Sequence, residues 1–452
     1  MPKKVLGLEV PPPASKENEF STLPKDMRAL IFQPNSGFDS KGNYLSWDEF
    51  KARSSQFKGH KEAAWHALNL YRGLVNIDRL YASLGGSKYL PFMYSPSASM
   101  AKIHKIDRLS TLDHLALNER NRQDYLSATL AMEEAITSSQ LEGASTTRPV
   151  AKEMLSTGRE PRDFSEKMIV NNYRLMQLAK EKSSEPMSVD LLMEFNEVAT
   201  QEVCENGHTA GKFRQEPIEV GDHLTGETIH IAPDVEQLGV LLLDLINFSN
   251  KEHEDVEFIH PIVKAIIIHF TVGYIHPFLD GNGRTARALF YWFMLKSGYK
   301  NFEYISISSL FKNAPKQYAR AFVKTEIDNF DVTHFIDFNL NIIIRALGEF
   351  TTYIERKIEE IQKTRLDLHT SPYFNQFKLP HITILKKALE HAGREFTVKE
   401  CQTEFNVSAT AARAYLDKLA SLGLLIKYPI KGRLFGYLAP ADLRERLKIE
   451  KP

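Results

Sequence analysis

The sequence predicts a mainly α-helical chain with one β-hairpin set inside its helical core and a small mixed unit of helices and strands at its C-terminal end. Three observations predict this. Apolar residues recur at helical spacing through most of the stretch from Lys61 to about Thr364. One segment, residues 213–231 (FRQEPIEVGDHLTGETIHI), breaks that period with alternating and β-branched residues around a Leu-Thr-Gly turn. From His381 onward the pattern changes to short helices followed by two strand-like runs around Lys431-Gly432-Arg433.

In chain order, residues 1 to about 60 read as irregular, with a Pro11-Pro12-Pro13 run and several Gly, Asn, Asp and Ser turns. A helix begins near Lys61 and stops at Gly85-Gly86. The next runs from about Asn118 to Glu142, with Tyr125, Leu126, Leu130, Ala131 and Ile136 as its apolar positions, and helices follow over Glu166–Lys182 and Ser188–Asn206. After the hairpin come Val235–Asn250, Ile262–Ile275 and a helix from Arg284 to about Ser297. Ile262–Ile275 is the most apolar segment, but Lys264 and His269 interrupt it and it is too short to span a bilayer, so it reads as a buried helix. Residues 366–380, with two prolines and no clear period, are the linker candidate. The domain division is 1–114, 115–365, the linker, and 381–452.

In the last unit, helices are expected over His381–Glu390, Thr397–Phe405 and Ser408–Leu422, with Ser408 as an N-cap, then strands over Leu424–Tyr428 and Leu434–Leu438. That order resembles a winged helix-turn-helix domain. In a DNA-reading version, Arg413 and Lys418 face a groove while Lys431 and Arg433 approach phosphate. A version used for protein contacts has the same fold, and the Ala- and Leu-rich second helix suits it equally.

Bulk composition excludes little and points to an ordinary soluble protein without a membrane partner. Lys and Arg balance Asp and Glu at 57 each, so no global field attracts nucleic acid or membrane. The balance is uneven: residues 372–452 hold 14 basic against 8 acidic side chains, a net +6 that leaves −6 for the rest. Two cysteines far apart, Cys204 and Cys401, argue against a disulfide framework or a cysteine-based zinc site and lead to the expectation of a cytoplasmic protein. The opening residues MPKKVLGLEVPPPAS hold too short an apolar stretch for a signal peptide.

Residues 276–287, HPFLDGNGRTAR, carry the chemistry. Glycines at 281 and 283 let backbone N–H groups converge on an anion, and a helix starting there adds its free N–H groups and dipole. Asp280 offers Mg²⁺ a hard oxygen ligand of the kind that joins phosphate oxygens around that ion. His276 places an imidazole base beside the same anion. Arg284 and Arg287 are one helical turn apart and share a face. The twelve residues resemble the HPFx(D/E)GNGRxxR signature of Fic (Fido) proteins, with no departure at any fixed position, and the resemblance is strongest between about Leu115 and Phe350.

That resemblance implies a Fic-type helical core and transfer of AMP from ATP to a Ser, Thr or Tyr hydroxyl of a target protein, or of the enzyme itself. His276 would take the proton of the attacking hydroxyl. Asp280 would hold Mg²⁺ between the α- and β-phosphates. Gly281, Asn282 and Gly283 would form the anion nest, with the Asn282 amide on an α-phosphate oxygen. Arg284 would clamp the β-phosphate and Arg287 the γ-phosphate. Phe278 and Leu279 would anchor the loop, and His260 and His269 would be structural. Residues 138–143, SSQLEG, match the family's (S/T)xxxE(G/N) inhibitory motif on the predicted helix 118–143. Glu142 would then pair with Arg287 and deny it to the γ-phosphate, with Ser138 fixing the helix and Gly143 closing it. The 213–231 hairpin stands where the family has its target-binding flap, with Ile229, His230 and Ile231 as contact residues. Asn313, by position alone, is assigned to the adenine. The resemblance also admits a homodimer and the reverse reaction, removal of AMP. The rival reading is a DNA-binding or adaptor regulator whose Fic core senses nucleotide.

Overall fold

The computed structural model describes residues 3–33, 36–75, 94, 96–111, 128–203, 210–221, 226–255, 258–405, 407–431 and 434–449. The expected helix beyond Val75, the residues of the 118–143 helix before Ala128, Cys204, the turn of the hairpin, Asn406, Gly432 and Arg433 lie outside the described residues, as does the side chain of Lys431.

The helices, in chain order, are α1 (Lys25–Ile31), α2 (Trp47–Arg53), α3 (Lys61–Val75), α4 (Pro96–Thr111), α5 (Ala128–Leu141), α6 (Arg148–Thr157), α7 (Phe164–Glu181), α8 (Val189–Thr200) and α9 (Val235–Asn250). They continue with α10 (Pro261–Ile275), α11 (Asn282–Lys296), α12 (Ile307–Asn313), α13 (Pro315–Ile327) and α14 (Thr333–Leu368). The C-terminal unit adds α15 (Leu379–Glu390), α16 (Val398–Phe405), α17 (Ala409–Ser421) and α18 (Leu443–Leu447). Three small antiparallel sheets complete the described residues: β1 (Lys4–Val5) with β2 (Leu8–Glu9), β3 (Glu219–Gly221) with β4 (Thr228–Ile231), and β5 (Glu395–Phe396), β7 (Leu434–Leu438) and β6 (Ile426–Lys431) in that order. The chain is mainly helical, as its periodicity predicts.

α10 lies at the centre of the main core. Every residue from Ile262 to Val272 is buried, which is what a helix apolar on all faces requires. α11 packs along it and also meets α7 and α8, so the loop between α10 and α11 is held from several sides. Local chemistry sets the helix starts. Asp163 accepts from the Glu166 amide, Ser188 accepts from the Leu191 amide, and Pro261 opens α10 behind His260, whose Nδ1 accepts from the Ile262 amide.

Two expectations change. Residues 1–60 are not irregular throughout: α1 and α2 pack around Trp47, Phe50, Phe57 and Trp65, the β1–β2 hairpin packs Leu6 and Leu8 on Val323, and Ser46 and Glu49 make a capping box ahead of α2. The S-W-D-E run carried that signal. Residues 366–380, expected as a linker, carry packed side chains of their own. α14 continues as one 36-residue helix to Leu368, and Leu368, Tyr373, Phe374 and Phe377 pack into the core of the C-terminal unit. Apolar contacts outweigh the two prolines there.

The C-terminal unit runs helix, strand, helix, helix, hairpin. Ser408 caps α17 as expected, its side chain accepting from the Ala411 amide. Leu424 and Leu425, expected to open a strand, are instead buried before β6 begins at Ile426. α16 packs on α5 and α6, and the Thr403 hydroxyl donates to the Ser156 carbonyl at 3.2 Å.

Candidate active site

α10 ends at His276, whose φ of 49° and ψ of 58° put it in the left-handed region. That conformation turns the chain sharply through Pro277–Asp280 and into α11. Gly281 then acts as the N-cap of α11 with a φ of 77°, in contact range of Thr200 and Asn196, where an added Cβ would collide. Phe278 is buried and lies 5.1 Å, centroid to centroid, from Phe213 of the hairpin's first leg. Both ends of the Asn282 amide are spent on Phe278: its Oδ1 accepts from the Phe278 amide at 2.9 Å and its Nδ2 donates to the Phe278 carbonyl at 2.7 Å. Where the resemblance implies a contact from that amide to an α-phosphate oxygen, the amide here ties the loop, and with the Gly281 N–H donated to Asp280 Oδ1 the backbone N–H groups left to an anion are those from residue 282 onward.

The His276 ring Nδ1 lies 3.1 Å from the Gly273 carbonyl. A carbonyl only accepts, so Nδ1 carries the proton and Nε2 keeps a lone pair. Burial, the largest influence, moves the imidazole down to about 4, against the pull of the Gly273 carbonyl and Glu142 and with help from His230 and Arg214. The base is therefore neutral throughout the physiological range. This yields a pH prediction: the kcat/KM of a reaction in which His276 accepts a proton should show no histidine inflection between pH 6 and 7, with loss of the base form only as pH falls through about 4. A pH–rate profile of the free enzyme checks it, and an inflection near 6.5 that vanishes in His276→Ala would contradict it.

A pocket of about 360 Å³ joins the pieces. Its polar wall holds Glu142, His276, Asp280, Gly281–Gly283 and Arg287, and its apolar wall holds Val220, Ile229, Tyr318, Ala319 and Phe322. Arg287 is 2% exposed, with its Nε and Nη2 both engaged. Its Nε donates to the Ser138 hydroxyl at 2.9 Å, and its Nη2 donates to the Ser138 carbonyl at 3.2 Å and to Glu142 Oε1 at 2.8 Å. Ser138 thus grips Arg287 itself as well as sitting on α5. Burial alone would raise the Glu142 carboxyl, but Arg287 and Arg284 hold it below the usual carboxylate range, so it is an anion at neutral pH. A Cβ on Gly283 would overlap the Glu142 carboxylate oxygen, so glycine is what admits the pair. Gly143, at φ 99°, turns the chain away just past Glu142.

Asp280 is 35% exposed on the pocket wall. Its Oδ1 accepts from the Gly281 amide and both oxygens lie 3.3 Å from Arg284 Nη2, so Oδ2 keeps the more open acceptor capacity. A single part-exposed carboxylate beside a phosphate-sized nest fits Mg²⁺, which takes one or two carboxylates and fills the rest of its shell with water and phosphate oxygens. Arg284 departs from its expected place. It is buried, donates Nη1 to the Ala199 carbonyl at 2.6 Å and Nη2 to Asp280, and does not line the pocket. Its i,i+4 carboxylate and the α8 terminus claim the guanidinium.

Other expected residues divide. Ile229 and His230 line the pocket, whereas Ile231 is 68% exposed and is not among its lining residues. Asn313 is exposed at the end of α12, outside the pocket; Tyr318, Ala319 and Phe322 of the next helix take the apolar wall. Leu279 lines the pocket rather than only anchoring its loop. His269 is buried, with its Nε2 2.8 Å from the Tyr318 hydroxyl, a structural place as expected. Sequence reasoning missed Asn196, which donates to the Asp280 carbonyl at 2.8 Å, and Arg214, which no local motif marks.

Residues 186–294 match the Fic/DOC family. Two protein adenylyltransferases named Fic, from Drosophila erecta and Drosophila melanogaster, are each 35% identical over 89 residues, 20% of this chain and 16% of theirs. The chain thus spans about a sixth of the length of these curated relatives. The crystal structure of a Fic family protein from Desulfovibrio desulfuricans G20 is similar over 78% of this chain and 98% of that one, with a TM-score of 0.50 at 16% identity, a likeness of fold. Among the described residues no helix is long and apolar enough to cross a membrane. The His276–Arg287 wall of the pocket lies in the matched segment, with Glu142 and the α13 side chains outside it, and over residues 186–294 this chain carries a Fic domain.

Proposed function

We propose that this protein is an adenylyltransferase that moves AMP from ATP to a hydroxyl side chain of a target protein and of itself, and that Glu142 holds it off. The single observation carrying this is the convergence of a neutral His276, the Gly281–Gly283 nest and the Glu142–Arg287 pair on one pocket. The target hydroxyl gives its proton to His276 Nε2 as its oxygen bonds to the α-phosphorus, and the bond from that phosphorus to the bridging oxygen of pyrophosphate breaks. Backbone N–H groups at the start of α11 face the charge that develops on the phosphate. Asp280 would hold Mg²⁺, which supplies charge neutralisation for the phosphates. Ile229, Tyr318 and Phe322 of the apolar wall would hold the adenine ring.

The β3–β4 hairpin serves as the flap that registers the target, its exposed Ile231 turned toward solvent where an added strand can lie. The C-terminal unit is read as a winged helix. Among its described basic side chains, Lys386, Lys387, Arg394, Lys427 and Arg446 are ion-paired and Lys418 donates to Gln376, so part of its positive charge is already neutralised, and contact with DNA or with protein both suit the unit.

The test is incubation with Mg²⁺, α-labelled ATP and a lysate. AMP on a Ser, Thr or Tyr side chain is the expected product. Loss of AMP from pre-labelled protein would assign the reverse reaction, and salt-sensitive binding to DNA without any labelling would assign the regulator.

A further inference from the structure

The C-terminal carbonyls of a helix have no partner within it. At the end of α10, the helix that delivers His276, the hairpin supplies those partners. His230 Nε2 lies 2.8 Å from the Tyr274 carbonyl. Arg214 donates Nη2 to the Ile275 carbonyl at 3.4 Å, Nε to the His276 carbonyl at 2.9 Å and its backbone N–H to the Pro277 carbonyl at 2.9 Å. Four consecutive carbonyls around the catalytic base are therefore held by two residues of the hairpin.

The same side chains reach back into the hairpin and across to α13. Arg214 Nη1 donates to the Glu216 carbonyl at 3.1 Å, and Nη2 also donates to the Pro233 carbonyl, so the guanidinium joins both legs of the hairpin. Arg214 is 1% exposed, and every partner of its guanidinium named here is a neutral carbonyl. His230 Nδ1 lies 2.9 Å from Glu326 Oε2. Its two partners are a carbonyl and a carboxylate. Both bonds form together only when the three groups hold a second proton between them, on the ring or on Glu326. A buried cation fixed by several carbonyls in a planar fork is a rigid joint that a lysine, whose three donors radiate from a single nitrogen, cannot copy.

We infer that Arg214 and His230 are positioning residues that fasten the flap to the catalytic base, so that hairpin and His276 move as one body. This rests on the adenylyltransferase reading. A target strand seated on the hairpin then arrives already registered with Nε2 of His276, and a shift of the hairpin carries the base with it. Misplacement of a reacting group by about 1 Å costs on the order of 10²-fold in rate.

The experiment uses the full chain with Glu142→Gly as parent, and adds Arg214→Lys, His230→Ala or His230→Gln. Three readouts are taken: AMP transfer at saturating ATP, affinity for ATP, and backbone hydrogen exchange. Arg214→Lys is expected to lower kcat on the order of 10²-fold while ATP affinity stays at the parental level. Exchange should rise together in the hairpin and in residues 273–281. His230→Gln, which keeps a donor for the Tyr274 carbonyl, should recover part of the rate lost in His230→Ala. Exchange that rises in the hairpin alone, or kcat unchanged in Arg214→Lys, would overturn the inference. If Arg214→Lys does not fold, the His230 pair decides by the same readouts. A parent that transfers no AMP removes the proposed function but leaves the inference to the exchange pattern.

Discussion

His276→Ala is expected to abolish AMP transfer, with a loss of at least about 10²-fold in kcat, the lower end of what a positioned general base contributes. The geometry makes this specific. Nδ1 is committed to the Gly273 carbonyl, so Nε2 alone has a lone pair to offer, and the low pKa keeps that lone pair free of a proton. The side chain is not a structural keystone. The left-handed turn at 276 is a backbone feature, held through the main chain by Arg214 and by the His276 amide on the Val272 carbonyl. ATP affinity and thermal stability of His276→Ala should therefore stay near the parental values, which calorimetry and a melting curve check. A variant that retains transfer would take the base away from His276.

Glu142→Gly is expected to raise AMP transfer, on the order of 5- to 150-fold, the usual span of coupling between two mutually exclusive contacts. Arg287 has one guanidinium and spends it on Ser138 and Glu142. Any γ-phosphate that is to reach Arg287 must displace an ionised carboxylate already 2.8 Å away. Removing that carboxylate releases one of the two bonds of Nη2, while Ser138 keeps Nε and the other oriented. The measurement is transfer from α-labelled ATP by wild type and variant under identical Mg²⁺. Equal rates with the fold intact would remove Glu142 from the mechanism. The double variant with His276→Ala should transfer nothing, which separates release of the switch from loss of the base.

Much of the site was legible in the chain because its parts are local. His276, Asp280, the two glycines and Arg287 sit within twelve residues, and a helix boundary places them on one loop and one face whatever packs around them. The roles of Arg284 and Asn282 were not legible. Their side chains have competing partners, Asp280 and Ala199 for one and the Phe278 backbone for the other, and only the folded loop decides which partner wins. Asn313 was assigned from position alone, and α12 carries it to the surface while α13 supplies the aromatic wall. The 366–380 segment was read as a linker from its prolines, yet Tyr373, Phe374 and Phe377 tie it into the C-terminal core.

By itself the sequence determined the mainly helical class, the hairpin between α8 and α9, and the twelve-residue loop with its base, its carboxylate and its anion nest. These follow from backbone period, glycine conformation and side-chain chemistry, all of which act over a few residues. The tertiary structure decided what meets across long separations: Glu142 and Ser138 on Arg287, Arg214 on the carbonyls of residues 275 and 276, His230 on Tyr274 and Glu326. A buried cation must find its acceptors wherever packing brings them, and the partners that packing brings belong to the fold rather than to any neighbouring stretch of chain.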